Sequence, residues 1–146
     1  MLNDNFNMKG ELDVMVYGAD GALKEKHHFE NLVVATGKAF IADRLISPDT
    51  AVMSHMAIGT NTVTPVSTDT TLNSELARVA LTSAVRTNNV VKYTATFLPS
   101  VGTGAITEAA IFNSDVGGIM LSRTVFAVVN KGELDTITIE WTITAQ

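Results

Sequence analysis

The sequence predicts a mainly β protein, an antiparallel β-sandwich or jelly-roll-like barrel with one short helix at about residues 36–47. The first reason is composition. Thr, Val and Ile, with 19, 16 and 9 residues, make up 44 of the 146 residues, and β-branched side chains favour a pleated sheet over a helix. The second reason is the alternation of apolar and polar residues over 134–145, which is typical of a strand with one buried face. The third is the frequency of turn signals between short apolar segments.

The strands are predicted where alternation or β-branched runs lie between such turns. A hairpin is expected from residues 11–17 and 22–34, which flank the turn signal Gly-Ala-Asp-Gly at 18–21. A second hairpin is expected around residues 86–89. The predicted strands are residues 11–17, 22–34, 51–58, 79–85, 90–97, 105–113, 119–130 and 134–145.

Two segments have a helical spacing of apolar residues. In residues 36–47, Thr36 can cap the first turn, an apolar stripe runs from Ala39 to Ile46, and Pro48 ends the helix. In residues 69–78, Leu72, Leu76 and Val79 follow at i, i+4 and i+7. That second pattern fits equally an extended loop that enters a strand at Val79.

The chain is predicted to form a single β domain over residues 11–146, preceded by an N-terminal arm at residues 1–10. The arm has no periodic pattern, yet it contains Leu2, Phe6 and Met8. Such a segment can become ordered on a partner and contribute its apolar side chains there. We therefore predict Leu2, Phe6 and Met8 as partner-binding residues, and a frayed terminus is the alternative.

Composition argues against several functional classes. There is no cysteine, and so no disulfide, thiolate metal site or cysteine nucleophile. The formal net charge of −5 and the lack of a basic cluster argue against nucleic-acid binding. No run of 18 apolar residues suggests a membrane span. The opening residues do not resemble a signal peptide, so we expect synthesis in the host cytoplasm without secretion.

No local motif indicates catalysis, a cofactor or a metal. His27 and His28 are adjacent, and neighbouring strand residues point to opposite faces, so they are not expected to bind one metal ion together. Glu75 and Glu108 could act as a carboxylate pair only if folding brings them together. Glu108 is expected to face solvent or to pair with an arginine such as Arg78 or Arg123. We therefore predict no catalytic, cofactor-binding or metal-binding residues.

Seven phrases of the sequence resemble small virion structural proteins of tailed bacteriophages, over about residues 31–145. They are NLVVATGKAFIADRL at 31–45, MSHMAIGT at 53–60, LNSELARV at 72–79, YTATF at 93–97, GTGAITEAAIFN at 102–113, MLSRTVF at 120–126 and ITIEWTIT at 137–144. Some of them also resemble the start of tail-fibre and baseplate proteins. One departure is Ala110, where the phrase is expected to carry glycine.

The resemblance implies a non-enzymatic virion protein, and a capsid decoration (cement) protein that binds and stabilises the head shell is favoured. The small size and the lack of a fibre-like repeat favour the head. A tail-fibre or baseplate component is the alternative, followed by a carbohydrate-binding adsorption module. The expected partners are the major capsid protein or other virion proteins, and further copies of the chain itself in a homo-oligomer, a trimer. Scarce charge between Tyr93 and Ser122 and the need to protect strand edges motivate the oligomer.

Overall fold

Ten strands and one helix form the part of the chain that the computed structural model describes, residues 4–146. The predicted mainly β antiparallel sandwich is confirmed. The elements are β1 Met8–Tyr17, β2 Leu23–Glu30, β3 Leu32–Val33, α1 Ala35–Asp43, β4 His55–Gly59, β5 Glu75–Ala80, β6 Ser83–Thr87, β7 Val90–Phe97, β8 Gly104–Phe112, β9 Met120–Lys131 and β10 Thr136–Ala145.

The strands form two five-stranded sheets whose inner faces enclose the main core. Sheet A has the order β2-β1-β10-β7-β6, and sheet B has the order β3-β9-β8-β4-β5. Every pair of neighbouring strands is antiparallel. Large buried side chains from both sheets meet between them, and these include Leu12, Met56, Ile58, Phe97, Ile106, Ile111, Ile139 and Trp141.

Strand β10 lies at the centre of sheet A and has the alternation that its sequence predicts. Ile137, Ile139, Trp141 and Ile143 are buried, whereas the threonines between them are only partly buried. Residues that share one face of a strand repeat every two positions, so a strand covered on one side shows this pattern in its sequence. The N-terminal arm is shorter than predicted, because β1 begins at Met8, which is paired with Ala145.

The chain changes sheet four times, and two of these changes occur at short corners. At Asn31, the backbone N–H donates to Gly10 of sheet A (3.1 Å), and the next residue pairs in sheet B. At the other corner, Leu81 N–H donates to Ser54 beside sheet B (2.9 Å), and Thr82 N–H donates to Thr94 of sheet A (2.8 Å). The single strands predicted at 22–34 and at 79–85 are therefore wrong. Each is two strands in different sheets, and strands of sandwiches often change sheet at such corners.

The helix α1 is shorter than the predicted helix at 36–47. It spans Ala35–Asp43, and the next residues form a tightened turn in which Ile46 N–H donates to the Asp43 carbonyl (3.0 Å). Thr36 is not the cap, since it lies inside the helix and its hydroxyl donates to the Met120 carbonyl (2.9 Å). Within the predicted apolar stripe, Phe40 is buried against the core, but Leu45 and Ile46 are exposed.

The helix considered at residues 69–78 is not formed. Residues 60–74 form a long loop, and the chain enters strand β5 at Glu75, earlier than the alternative start at Val79. Leu72 is buried with Val34, Ala57 and Phe112 on the outer face of sheet B, while Leu76 is 41% exposed. The two leucines thus face different environments, and no single apolar helical face exists here.

Candidate functional site

At one end of the sandwich, residues 6–8 of the N-terminal arm and the helix α1 border a common groove. Asn7 forms two backbone hydrogen bonds with Gln146, of 2.9 and 2.7 Å, which extend the pairing of β1 with β10. Of the predicted partner-binding residues, Met8 packs against the core and Phe6 is 68% exposed. Leu2 lies outside the described residues. Two of the three predicted residues are thus close together at the edge of a groove.

The groove between the arm and α1 has a volume of about 290 Å³. Its lining is mostly hydrocarbon, with the Lys38 side chain as its charged group. The lining residues are Phe6, Asn7, Met8, Lys38, Ile41, Ala42 and Leu45. The sequence pattern found Phe6 and Met8, but it assigned Ile41 and Leu45 only to the apolar stripe of a helix.

Two large apolar side chains of the groove lining, Phe6 and Leu45, are exposed, and the exposed Ile46 follows directly in the chain. Leu45 is 84% exposed and Ile46 is 87% exposed, directly after α1 ends. We name Phe6, Ile41, Leu45 and Ile46 the apolar patch. Single exposed apolar residues need no explanation, but a group of large ones around a groove is typical of an interaction site.

A second cluster lies on the outer face of sheet B, where four of the resembling phrases meet on β4, β5, β8 and β9. Arg123 donates to Glu108 through Nε (3.2 Å) and Nη2 (3.0 Å), and to Asp69 through Nη1 (2.9 Å). The Glu108 and Arg123 side chains are 0% and 3% exposed. The predicted pairing of Glu108 with Arg123 is confirmed, and the alternative that Glu108 faces solvent is wrong.

This cluster fastens the loop at residues 60–74 to the sheet. Arg123 also donates to the Val63 carbonyl (3.0 Å), and Glu108 Oε1 accepts from the Asn61 N–H (3.2 Å). Gly59 makes this possible, because a Cβ at that position would overlap the Glu108 carboxylate. The acid is therefore held by hydrogen bonds in a closed site, and the arrangement positions a loop.

Glu75 and Glu108 do not form a carboxylate pair. Both are register partners of Gly59, so strand β4 lies between them. Glu75 is instead paired with Arg78, whose Nη2 lies 2.7 Å from its carboxylate. The Arg78 guanidinium also stacks on the Phe112 ring, 3.8 Å from the centroid, and donates to carbonyls of the turn at 114–117.

The two adjacent histidines have different neighbours, as their alternation on β2 predicts. His28 Nδ1 lies 2.7 Å from Asp13, and its Nε2 lies 3.4 Å from Glu11. The His27 ring stacks with Phe29, with centroids 5.8 Å apart. Within residues 4–146, no group of three or more His, Asp or Glu side chains has an arrangement that could hold a metal ion.

His28 gives a pH-dependent prediction. Its hydrogen bond to Asp13 is the main cause that raises the pKa of His28 above 6.5. The pKa of His28 is higher in the folded state than in the unfolded state. The His28–Asp13 contact therefore stabilises the fold below pH 6.5, and this stabilisation is lost as the pH rises through the folded-state pKa.

An NMR titration of His28 should find the raised pKa, and Asp13→Asn should lower it. The control Asp4→Asn should not change it. A pKa of His28 that Asp13→Asn leaves unchanged would contradict the assignment.

No sequence pattern predicted that a lysine, Lys131, is buried at the opposite end of the sandwich. Lys131 is 2% exposed and donates to the Leu98 carbonyl (2.9 Å), and burial lowers its pKa. Nearby Asp135 accepts from the Gly132 N–H (2.8 Å) and from Lys24 (3.1 Å), and both contacts lower its pKa. These contacts join β2 and the end of β9 to the loops at 98–103 and 132–135, and no local pattern marks either residue.

Two further findings concern membrane-spanning helices and similarity to known proteins. No helix within residues 4–146 has the length and hydropathy that crossing a membrane requires. No family model, curated protein or solved structure matches this chain.

Proposed function

We propose that this chain is a non-enzymatic structural protein of a tailed-bacteriophage virion, a decoration protein that binds the outer surface of the head shell. The observation that carries the proposal is the apolar patch around the groove between the arm and α1. Phe6 and Leu45 of the groove lining are 68% and 84% exposed, and the adjacent Ile46 is 87% exposed. The resemblance of residues 31–145 to virion structural proteins is the reason for proposing a phage virion as the assembly that the chain binds.

The patch has the physical properties of a docking site on a larger protein surface. Burying apolar area is the main favourable term in protein association, and a few large side chains commonly contribute most of the binding energy. Phe6 and Leu45 both line the groove, so an apolar side chain of the shell that filled the groove would contact both. Phe40 packs α1 against the core of the sandwich.

The arrangement of the charged residues also supports a structural role. The most buried acid, Glu108, and its neighbour Asp69 are both bound to Arg123, and Glu75 is bound to Arg78. A general acid or base has to reach the proton that it transfers. These carboxylates instead hold a loop and a turn, which suits a protein whose task is to present a surface.

Binding to purified particles tests the proposal. Head shells and tails of the source phage, each lacking this protein, are mixed with the purified chain and sedimented. We expect the chain to bind heads, and the double variant Phe6→Asp/Leu45→Asp to bind at least about tenfold more weakly, because two charges would be desolvated. The matched control is Val116→Asp, at a position that is 81% exposed but lies in the turn after β8.

The outcomes separate the candidate placements. Binding to tails alone would replace the head assignment with the tail-fibre or baseplate alternative. Binding to neither particle would overturn the virion proposal, and equal loss in the control would overturn the role of the patch. Deleting residues 1–6 tests the arm alone. Met8 is left in place because its pairing with Ala145 belongs to the sheet.

A further inference from the structure

The two edges of sheet A differ in how they are protected. At one edge, β2 carries six ionisable side chains in eight residues, Lys24, Glu25, Lys26, His27, His28 and Glu30. Charged side chains on an edge strand prevent other strands from pairing with it. At the other edge, β6 has the sequence Ser-Ala-Val-Arg-Thr, and its one charge is Arg86. The β6 edge therefore lacks the charges that guard the β2 edge.

Strand β6 is also uncovered on both faces. All five of its residues are exposed, although alternate side chains point to opposite faces of the sheet. Val85 is 56% exposed, and the neighbouring strand β7 is only partly buried at Val91 and Tyr93. Within residues 4–146, β6 pairs only with β7, so its outer backbone groups have no strand partner. An open edge of this kind can accept another strand.

We propose that β6 is a self-association edge, which pairs antiparallel with β6 of a second copy about a two-fold axis. The inference does not depend on the virion proposal. Pairing would join two five-stranded sheets into one continuous ten-stranded sheet. A two-fold contact uses the same surface on both subunits, and it closes without leaving a further β6 edge open.

The side chains of β6 are compatible with one self-pairing register. With the axis at Val85, all five residues are paired: Val85 with its own copy, Ala84 with Arg86, and Ser83 with Thr87. The two Arg86 side chains then lie apart. A shift that placed the axis at Arg86 would set two like charges directly opposite each other, which destabilises a strand pair. The sequence of β6 therefore supports a second copy as the partner.

A cysteine cross-link tests this pairing directly, because the chain has no cysteine of its own. In Val85→Cys, the two introduced thiols would face each other at the axis. Directly opposed residues have Cβ atoms roughly 4.5–5.5 Å apart, and small adjustments allow a disulfide. We expect mild oxidation to give a disulfide-linked dimer in high yield. The matched control Val116→Cys, at a more exposed valine, should cross-link far less.

Sedimentation of the unmodified full chain gives the second measurement. We expect a monomer–dimer equilibrium, which Val85→Lys weakens by about tenfold or more because two lysines would meet at the axis. Glu25→Lys on the β2 edge should leave the monomer–dimer equilibrium unchanged. A strictly monomeric chain at high micromolar concentration would overturn the inference. So would a trimer that Val85→Lys does not affect, or equal cross-linking at positions 85 and 116.

Discussion

Replacing Arg123 with methionine is expected to lower the free energy of unfolding by about 3–5 kcal/mol, the usual cost of removing one partner from a buried ion pair. Glu108 is fully buried, and Arg123 gives it two of its hydrogen bonds. Without the guanidinium, the Asn61 N–H would be the one donor that residues 4–146 leave to this fully buried carboxylate. Urea unfolding followed by circular dichroism measures the loss.

Two further variants show whether burial of the charge is the cause. The double variant Arg123→Met/Glu108→Gln removes both charges, and we expect it to recover a large part of the lost stability. Lys92→Met removes the cation of an exposed pair with Glu140 (2.9 Å), and it should cost at most about 1 kcal/mol. An equally small loss for Arg123→Met would contradict this account of the cluster.

The same substitution should release the loop at residues 60–74. Arg123 contacts this loop at Val63 and at Asp69, so one side chain fixes two of its points. Limited proteolysis should therefore cut the Arg123→Met variant within 60–74 at protease concentrations that leave the unmodified protein intact. Cleavage elsewhere first would indicate that the loop is held mainly by Leu72 and its neighbours.

Replacing Trp141 with alanine is expected to lower the free energy of unfolding by about 3–5 kcal/mol, as large aromatic truncations in cores do. Its side chain is 0% exposed at the centre of sheet A, and its register partners are Leu12 and Tyr93. The indole N–H also donates to Asn31 Oδ1 (3.2 Å), so Trp141 joins the central strand to the corner between β2 and β3. Urea unfolding followed by far-ultraviolet circular dichroism checks the value.

Trp141→Phe is the matched variant, since it keeps an aromatic ring but removes the donor. We expect Trp141→Phe to lower the free energy of unfolding by less than Trp141→Ala does. The expected loss is roughly 1–3 kcal/mol, because Asn31 Oδ1 would be left without this donor. Because Trp141 is the single tryptophan, native fluorescence reports on it alone. A red-shifted, readily quenched emission from the native protein would contradict the burial.

Local patterns predicted the parts of the fold in which neighbouring residues carry the information. The alternation in β10 identified the strand and the burial of Trp141, and the turn signal at 18–21 identified the first hairpin. For the candidate site, the same reasoning selected Phe6 because an arm without periodicity carries it together with Leu2 and Met8. It also named Arg78 and Arg123 as candidate partners of Glu108, with solvent exposure as the alternative.

The tertiary structure decided what depends on residues far apart in the chain. The helical spacing at 69–78 did not form a helix, because residues 75–78 pair with β4 in sheet B and Asp69 is bound by Arg123, 54 positions away. Likewise, an apolar stripe such as that at 36–47 is typical of a helix face packed on a core, but nothing in residues 4–146 covers Leu45 and Ile46 once α1 ends at Asp43. Periodicity tells which residues of an element share a face. Only the packing of distant strands and loops decides whether that face is covered, and in this protein the uncovered face is the candidate binding site.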